Sequence, residues 1–246
     1  RTLKTFYRTA TIKTIERENH RIKNFTLDTN VDAKPGQYVM VWIPRLNEKP
    51  FGVLTSRPLR LSVARIGEFT DRIHRLKVGD ILTFKGPYGT SFKNIGKKKL
   101  LVVGGYGYIP LYFFCSQLAR SHRKKTTIIL GAKTKKDLSF ISKFKKLGCQ
   151  VKITTDDGSR GYQGFSTALA RKYIQGKKVD SAYACGPEAM MEKVAEYSHK
   201  YKIPCLVSIE RFFKCGGMGI CGECSYNGLL VCKDGPVFNG RVLIKD

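Results

Sequence analysis

The hydrophobic pattern of this chain changes its period once, near residues 94–99, and that change constrains the architecture more tightly than any single motif. Before it, apolar and polar residues alternate in short runs at 9–15, 25–27, 37–43, 59–66 and 81–85. Period-two alternation marks a strand with one buried face. Turn residues such as Pro35-Gly36 and Gly79-Asp80 separate the runs, and Gly86-Pro87-Tyr88-Gly89 closes the last of them. Many short strands punctuated in this way predict a small antiparallel β-barrel. After the basic stretch Lys97-Lys98-Lys99, apolar runs at 100–103, 127–130, 150–154 and 181–184 alternate with helical patterns at 109–121, 138–147, 165–173 and 188–201. Strand–helix alternation predicts a parallel sheet covered by helices on both faces, a Rossmann-like α/β domain. Pro187 falls at the first helical position, where proline is tolerated.

From about Pro204 the chain becomes rich in glycine and cysteine. The expected divisions are a barrel over 1–96, an α/β domain over 97–203 and a small third domain over 204–246. Four of the eight cysteines, Cys215, Cys221, Cys224 and Cys232, fall within eighteen residues, with the spacing C-x5-C-x2-C-x7-C. In a chain without an export signal, such clustering favours a metal site over disulfides. Gly216, Gly217, Gly219 and Gly222 let the backbone curl around a common point and turn its N–H groups toward sulfur, which helps set a reduction potential. The plant-type 2Fe–2S loop is C-x4-C-x2-C with a later cysteine, and this segment has one more residue in the first gap. Zinc on four cysteines is the competing metal. Zinc sites usually pair two short knuckles, and here only Cys221 and Cys224 form one.

Lys and Arg number 45 against 19 Asp and Glu, a net charge of +26. That excess suits nucleic acid or another anionic surface. The cations are scattered in pairs and triplets with no basic tail, so nucleic-acid binding is not the expected function. The N-terminal stretch alternates rather than showing an apolar signal region, and the apolar stretch 100–115 is broken by Gly104, Gly105, Gly107 and Pro110. Neither a signal peptide nor a membrane span is expected, and the expected location is cytoplasmic.

Two glycine turns stand between a strand and a helix: Gly104-Gly105-Tyr106-Gly107 and, about eighty residues on, Cys185-Gly186-Pro187. Glycines there let a dinucleotide pyrophosphate approach the backbone and the helix N-terminus. In the barrel, Lys49-Pro50-Phe51-Gly52, Gly67-Glu68-Phe69-Thr70 and Gly86-Pro87-Tyr88-Gly89 are candidate flavin turns. Thr70 could give its hydroxyl and N–H to a pyrophosphate, and Tyr38 or Phe51 could stack on an aromatic ring. Arg57-Pro58 competes with Lys49-Pro50 for the flavin, and the distance to Gly67 favours Lys49-Pro50.

These motifs, with 35–44, 155–159, Gly164-Phe165 and the string Cys232-Lys-Asp-Gly-Pro-Val-Phe238, give the chain a resemblance to the ferredoxin reductase superfamily along nearly its whole length. Within it, the chain most resembles the electron-transfer subunits of dihydroorotate dehydrogenase. The resemblance implies FAD on the barrel, NAD at the α/β domain and a 2Fe–2S cluster on Cys215, Cys221, Cys224 and Cys232. It also implies a catalytic partner subunit that carries FMN and oxidises dihydroorotate in pyrimidine biosynthesis, assembled with this chain as a heterotetramer. The family's flavin turn is Arg-Pro-x-Ser; here Lys49 replaces Arg and Gly52 replaces Ser. Tyr106, Tyr108 and Ile109 fill a turn where the family uses smaller residues, so crowding of a dinucleotide is expected there. No catalytic acid or base stands out, which fits an electron conduit. The rival readings are a flavin and iron–sulfur reductase subunit of another redox complex, or a basic zinc-containing nucleic-acid-binding protein.

Overall fold

The computed structural model describes residues 6–244; the first five residues of the alternating N-terminal stretch and the last two of the cysteine-rich segment lie outside the described residues. Six antiparallel strands close the barrel: β1 (Arg8–Arg17), β2 (Ile22–Leu27), β3 (Tyr38–Ile43), β4 (Asn47–Ser56), β5 (Leu59–Ala64) and β6 (Ile81–Tyr88). Their order is β1-β2-β5-β4-β3-β6, and pairing of β1 with β6 completes the circle. Ile12, Leu27, Val39, Val53, Leu59 and Phe84 fill the interior, each fully buried.

One strand corrects the sequence reading. Lys49-Pro50-Phe51-Gly52 is not a turn but the middle of β4. Its pairing explains how proline is tolerated there. Residues Asn47 to Gly52 pair with β3 on one side, while pairing with β5 begins only at Val53. Pro50 therefore sits where β4 has one neighbour, so its missing N–H breaks no ladder. Likewise β6 runs on through Gly86 and Pro87 to Tyr88, past the expected break, with an irregularity that sets Tyr38 opposite Tyr88 and Met40 opposite Lys85. Gly67-Glu68-Phe69-Thr70 also departs from a plain turn, since it opens helix α1 (Glu68–Arg75), which buries Phe69 and Ile73.

The second architecture is a seven-stranded sheet. β7 (Lys99–Gly104), β8 (Thr127–Ala132), β9 (Gln150–Thr155), β10 (Tyr162–Gln163), β11 (Ser181–Cys185) and β12 (Cys205–Ser208) are parallel, as the alternation predicts. The first two helices are shorter than their patterns. The first ends at Gln117 as α2 (Tyr108–Gln117), and a separate α3 (Arg120–Lys124) follows. The second is a 3₁₀ turn (Lys135–Asp137) followed by α4 (Ile141–Lys146). α5 (Ser166–Gln175) and α6 (Glu188–Lys200) complete the layer, with Pro187 at the cap rather than at the first helical position.

After β12 the chain makes little regular structure: β13 (Ser225–Tyr226), β14 (Leu229–Leu230) and one turn of helix, α7 (Val231–Asp234). It then adds β15 (Val237–Asn239) antiparallel to β12 at the sheet edge. The chain accordingly divides into two compact units, one ending at Ser91 but including Glu210–Pro236, the other holding Phe92–Ile209 and the residues from Val237 onward. Among the described residues no helix is long and apolar enough to cross a membrane.

Candidate cofactor sites

The cysteine loop belongs to the barrel unit, and named side chains fix it there. Tyr38 on β3 is buried, donates its hydroxyl to the Cys232 carbonyl at 2.9 Å and packs on Phe213 with ring centroids 4.9 Å apart. The Thr90 N–H donates to the Gly235 carbonyl at 2.7 Å. A Cβ on Gly89 would come within 2.7 Å of that same carbonyl, so Gly86-Pro87-Tyr88-Gly89 ends against Gly235-Pro236. Gly216 and Gly217 take positive φ of 65° and 80°, a conformation glycine enters without steric cost. A Cβ on Gly216 would strike the Glu48 carboxylate, and one on Gly217 would lie 2.8 Å from the Tyr38 hydroxyl.

The four thiols stand as two pairs, Cys215 with Cys221 and Cys224 with Cys232. Among the described residues no three His, Cys, Asp or Glu side chains already form a metal-ion site. The loop nevertheless fits an iron–sulfur cluster. Burial works against a charged Cys215 sulfur, yet the N–H groups of Ile220 and Cys221, the Cys221 thiol and the Met218 N–H all bond to it, bringing its pKa down to about 6. Burial, and after it the adjoining Cys224, push Cys232 up to about 12, against a hydrogen bond from the Gly219 backbone. The Cys232 N–H in turn donates to the Cys224 sulfur at 3.5 Å. Backbone donors aimed at sulfur are what a cluster loop supplies to its ligands. The other four cysteines, Cys115, Cys149, Cys185 and Cys205, are buried in the second unit.

Two of the flavin candidates meet within the barrel unit. Phe51 on β4 stacks on Phe69 of α1, with centroids 6.0 Å apart and planes 24° apart, and the Lys49 ammonium lies 5.9 Å from the Phe69 centroid. Phe69 is the contact that sequence reasoning missed, because nothing in a lone Gly-Glu-Phe-Thr string says which ring it meets. Arg57 and Pro58 lie instead in the connection from β4 to β5, where Arg57 is exposed and faces Asp32 at 3.8 Å. Two observations fit a bound FAD. The buried Tyr88 hydroxyl has no hydrogen-bond partner among the described residues. The face of Gly67 is open, with nothing within 4 Å of the place a Cβ would take, at a helix start whose first N–H groups lack intrahelical acceptors.

The Thr70 hydroxyl has backbone partners in the turn itself. It accepts the N–H groups of Ile66 at 2.9 Å and Gly67 at 3.1 Å and donates to the Gly67 carbonyl at 2.8 Å. It thereby shapes the turn that opens α1. Thr70→Val is expected to lower the stability of the barrel unit by about 1–2 kcal/mol, the cost of a lost helix-start hydroxyl. Thermal unfolding of the flavin-free protein checks it.

In the second unit the two glycine turns come together. A Cβ on Gly107 would overlap the Cys185 carbonyl, and one on Gly186 would come within 2.8 Å of the Gly104 backbone. A Cβ on Gly104 would lie 2.7 Å from the Pro187 ring. These three glycines answer to close packing of the turns on each other, whereas Gly105 is exposed and has open space around it. The expected crowding does not extend to Tyr108. Its ring is buried and stacks on Phe140 with centroids 4.3 Å apart, inside the domain core. Tyr106 remains partly exposed at the turn. The Thr154 hydroxyl, buried near the end of β9, has no partner among the described residues, a candidate contact that the sequence did not single out.

Known proteins repeat this arrangement. Residues 101–196 match the oxidoreductase NAD-binding domain, and residues 210–244 match the iron–sulfur cluster binding domain of dihydroorotate dehydrogenase B. The "Probable dihydroorotate dehydrogenase B (NAD(+)), electron transfer subunit" of Methanocaldococcus jannaschii is 47% identical over 234 residues, 94% of this chain and 89% of that protein. The protein of the same name from Thermococcus kodakarensis is 39% identical over 97% of this chain and 98% of its own length. Among solved structures, an NADH-dependent reduced ferredoxin–NADP oxidoreductase described in connection with flavin-based electron bifurcation matches with a TM-score of 0.81 and 27% identity, over 94% of this chain and 88% of that one. The flavohem-like FAD/NAD binding domain of nitric oxide dioxygenase from Vibrio cholerae shares the fold, with a TM-score of 0.69 and 21% identity over 80% of this chain and 94% of that one. With an iron–sulfur binding segment, a NAD-binding domain and a flavin reductase barrel in one oxidoreductase chain, the protein belongs to the family of dihydroorotate dehydrogenase B electron transfer subunits.

Proposed function

We propose that this chain relays electrons from a catalytic partner subunit that oxidises dihydroorotate on FMN, by way of a 2Fe–2S cluster on Cys215, Cys221, Cys224 and Cys232, to FAD and then to NAD. The setting is a cytoplasmic hetero-oligomer, a heterotetramer by family resemblance. The observation that carries this reading is the seating of the cysteine loop on the flavin-candidate strands, through Tyr38 and Cys232 and through Gly89 and Gly235. When bound, FAD interconverts one- and two-electron transfer, and the protein supplies position and electrostatics.

Each group of residues has a defined task in this scheme. Lys49, Pro50, Phe51 and Gly52 offer the strand edge that β5 leaves bare, and Gly67 with the first turn of α1 receives the pyrophosphate. Gly86, Pro87, Tyr88 and Gly89 close the flavin side, with the Tyr88 hydroxyl as the waiting donor. Gly104, Gly105, Gly107, Gly186 and Pro187 frame the nicotinamide dinucleotide site, and Gly105 makes the close approach.

The test is spectroscopy on anaerobically purified protein with iron, zinc and flavin analysis, followed by mixing with a dihydroorotate-oxidising subunit. About two irons per chain, flavin bands and bleaching of both chromophores on adding dihydroorotate are expected. A colourless, zinc-loaded protein would sink the reading. Full loading without bleaching by dihydroorotate, but with bleaching by reduced ferredoxin, would move the partner to the class of the ferredoxin–NADP oxidoreductase it resembles.

A further inference from the structure

Lys85 and Glu48 form an ion pair in the barrel unit at 2.9 Å, with side chains only 7% and 16% exposed. The Glu48 carboxylate also accepts the Tyr7 hydroxyl at 2.9 Å, and the Lys85 ammonium lies 5.1 Å from the centroid of the Tyr7 ring. Burial opposes a charge on Lys85, but the hydrogen bond and charge of Glu48 hold it above the ordinary lysine range. Both charges lie directly against the cysteine loop. A Cβ on Gly216 would collide with the Glu48 carboxylate and lie 2.6 Å from the Lys85 ammonium. Gly216 follows Cys215, Glu48 precedes Lys49-Pro50, and Lys85 precedes Gly86-Pro87. The pair thus touches the cysteine loop and adjoins two of the three flavin-candidate segments.

Stability alone accounts poorly for such a pair. Desolvating two charges offsets most of their attraction, and apolar replacements of similar shape are often neutral or stabilising. The same low-dielectric setting makes each charge strongly felt by its neighbours. Charge and hydrogen bonding around the sulfurs are among the main determinants of an iron–sulfur reduction potential.

We infer that the Glu48–Lys85 pair is a positioning and potential-setting device for the cluster: Lys85 stabilises added negative charge at the cysteine loop, and Glu48 limits that effect while anchoring Lys85. The inference rests on the cluster assignment proposed above. Lys85 and Glu48 are positioning residues, neither a ligand nor a catalytic group. Because they carry opposite charges, their removal has opposite consequences, which a purely structural seat for the loop would not produce.

The experiment is a redox titration of the cluster in the holoprotein, followed by visible absorption and electron paramagnetic resonance, with iron content measured on every sample. Lys85→Met is expected to shift the midpoint potential downward and Glu48→Gln upward. The double variant is expected to return toward the unmodified value, and Lys85→Arg to stay near it. Single variants that shift in the same direction, or that leave the potential unchanged at full iron content, overturn the inference. If Lys85→Met loses its iron, Glu48→Gln and Lys85→Arg decide: an upward shift only in the first supports the inference, and equal shifts in both overturn it. Iron in the unmodified protein is measured first, since its absence would overturn the cluster assignment itself, whereas iron present without opposed shifts removes this inference alone.

Discussion

Cys224→Ala is expected to abolish the 2Fe–2S cluster, with iron falling from about two per chain to below roughly 0.2 while flavin stays bound. Cys224 is buried, its sulfur accepts the Cys232 N–H, and it belongs to the short knuckle with Cys221. Alanine removes a thiolate for which no nearby group substitutes, and iron in such clusters depends on soft sulfur donors. The flavin-candidate segments lie in β4, α1 and the end of β6, whose strands are closed by barrel pairing on their own, with the cysteine loop packed against them. Cys115→Ala and Cys205→Ala serve as controls, because both thiols are buried in the other unit and should leave iron unchanged. Iron analysis and the visible spectrum decide the matter; full iron in Cys224→Ala would remove it from the ligand set.

Gly107→Ala should cost the nucleotide unit about 3 kcal/mol or more, because the added methyl meets backbone rather than a flexible side chain. The clash is with the Cys185 carbonyl, held in β11 at the centre of the sheet between β7 and β12. Gly107 itself has ordinary helical dihedrals, so the penalty is purely one of space. A drop of about 10 °C in the melting temperature of that unit, with loss of NADH binding, is the expected outcome. Gly105→Ala is the contrast. Open space surrounds it, so only its left-handed backbone weighs against alanine, at about 1 kcal/mol. It should keep the fold and weaken dinucleotide binding. Equal melting temperatures for the two variants would refute this division of roles.

The parts of the molecule legible in the sequence are those where chemistry or period leaves few choices. Four cysteines in a glycine-rich loop announce a soft metal centre, and the change from period two to strand–helix alternation announces barrel and parallel sheet. Where a residue serves two masters, the sequence misleads. Pro50 and Gly52 look like turn residues because they are unsuited to a strand paired on both sides, and β4 is paired there on one. Tyr108 looks like an obstacle in a ligand turn because nothing nearby in sequence reveals Phe140, the ring on which it stacks. The Glu48–Lys85 pair joins residues 37 positions apart and is written in no local pattern. The three residues of β15 are too few to show a period, yet they return the chain to the sheet.

The one-sided pairing of β4 carries a further consequence. A strand edge without a neighbour is open to a strand from another molecule, and such edges are where proteins aggregate. Along Asn47 to Gly52 that edge holds Pro50, which cannot donate to an incoming ladder, and the exposed charge of Lys49. Proline and an exposed lysine on a one-sided strand thus suit it in a second way, since both discourage edge-to-edge pairing.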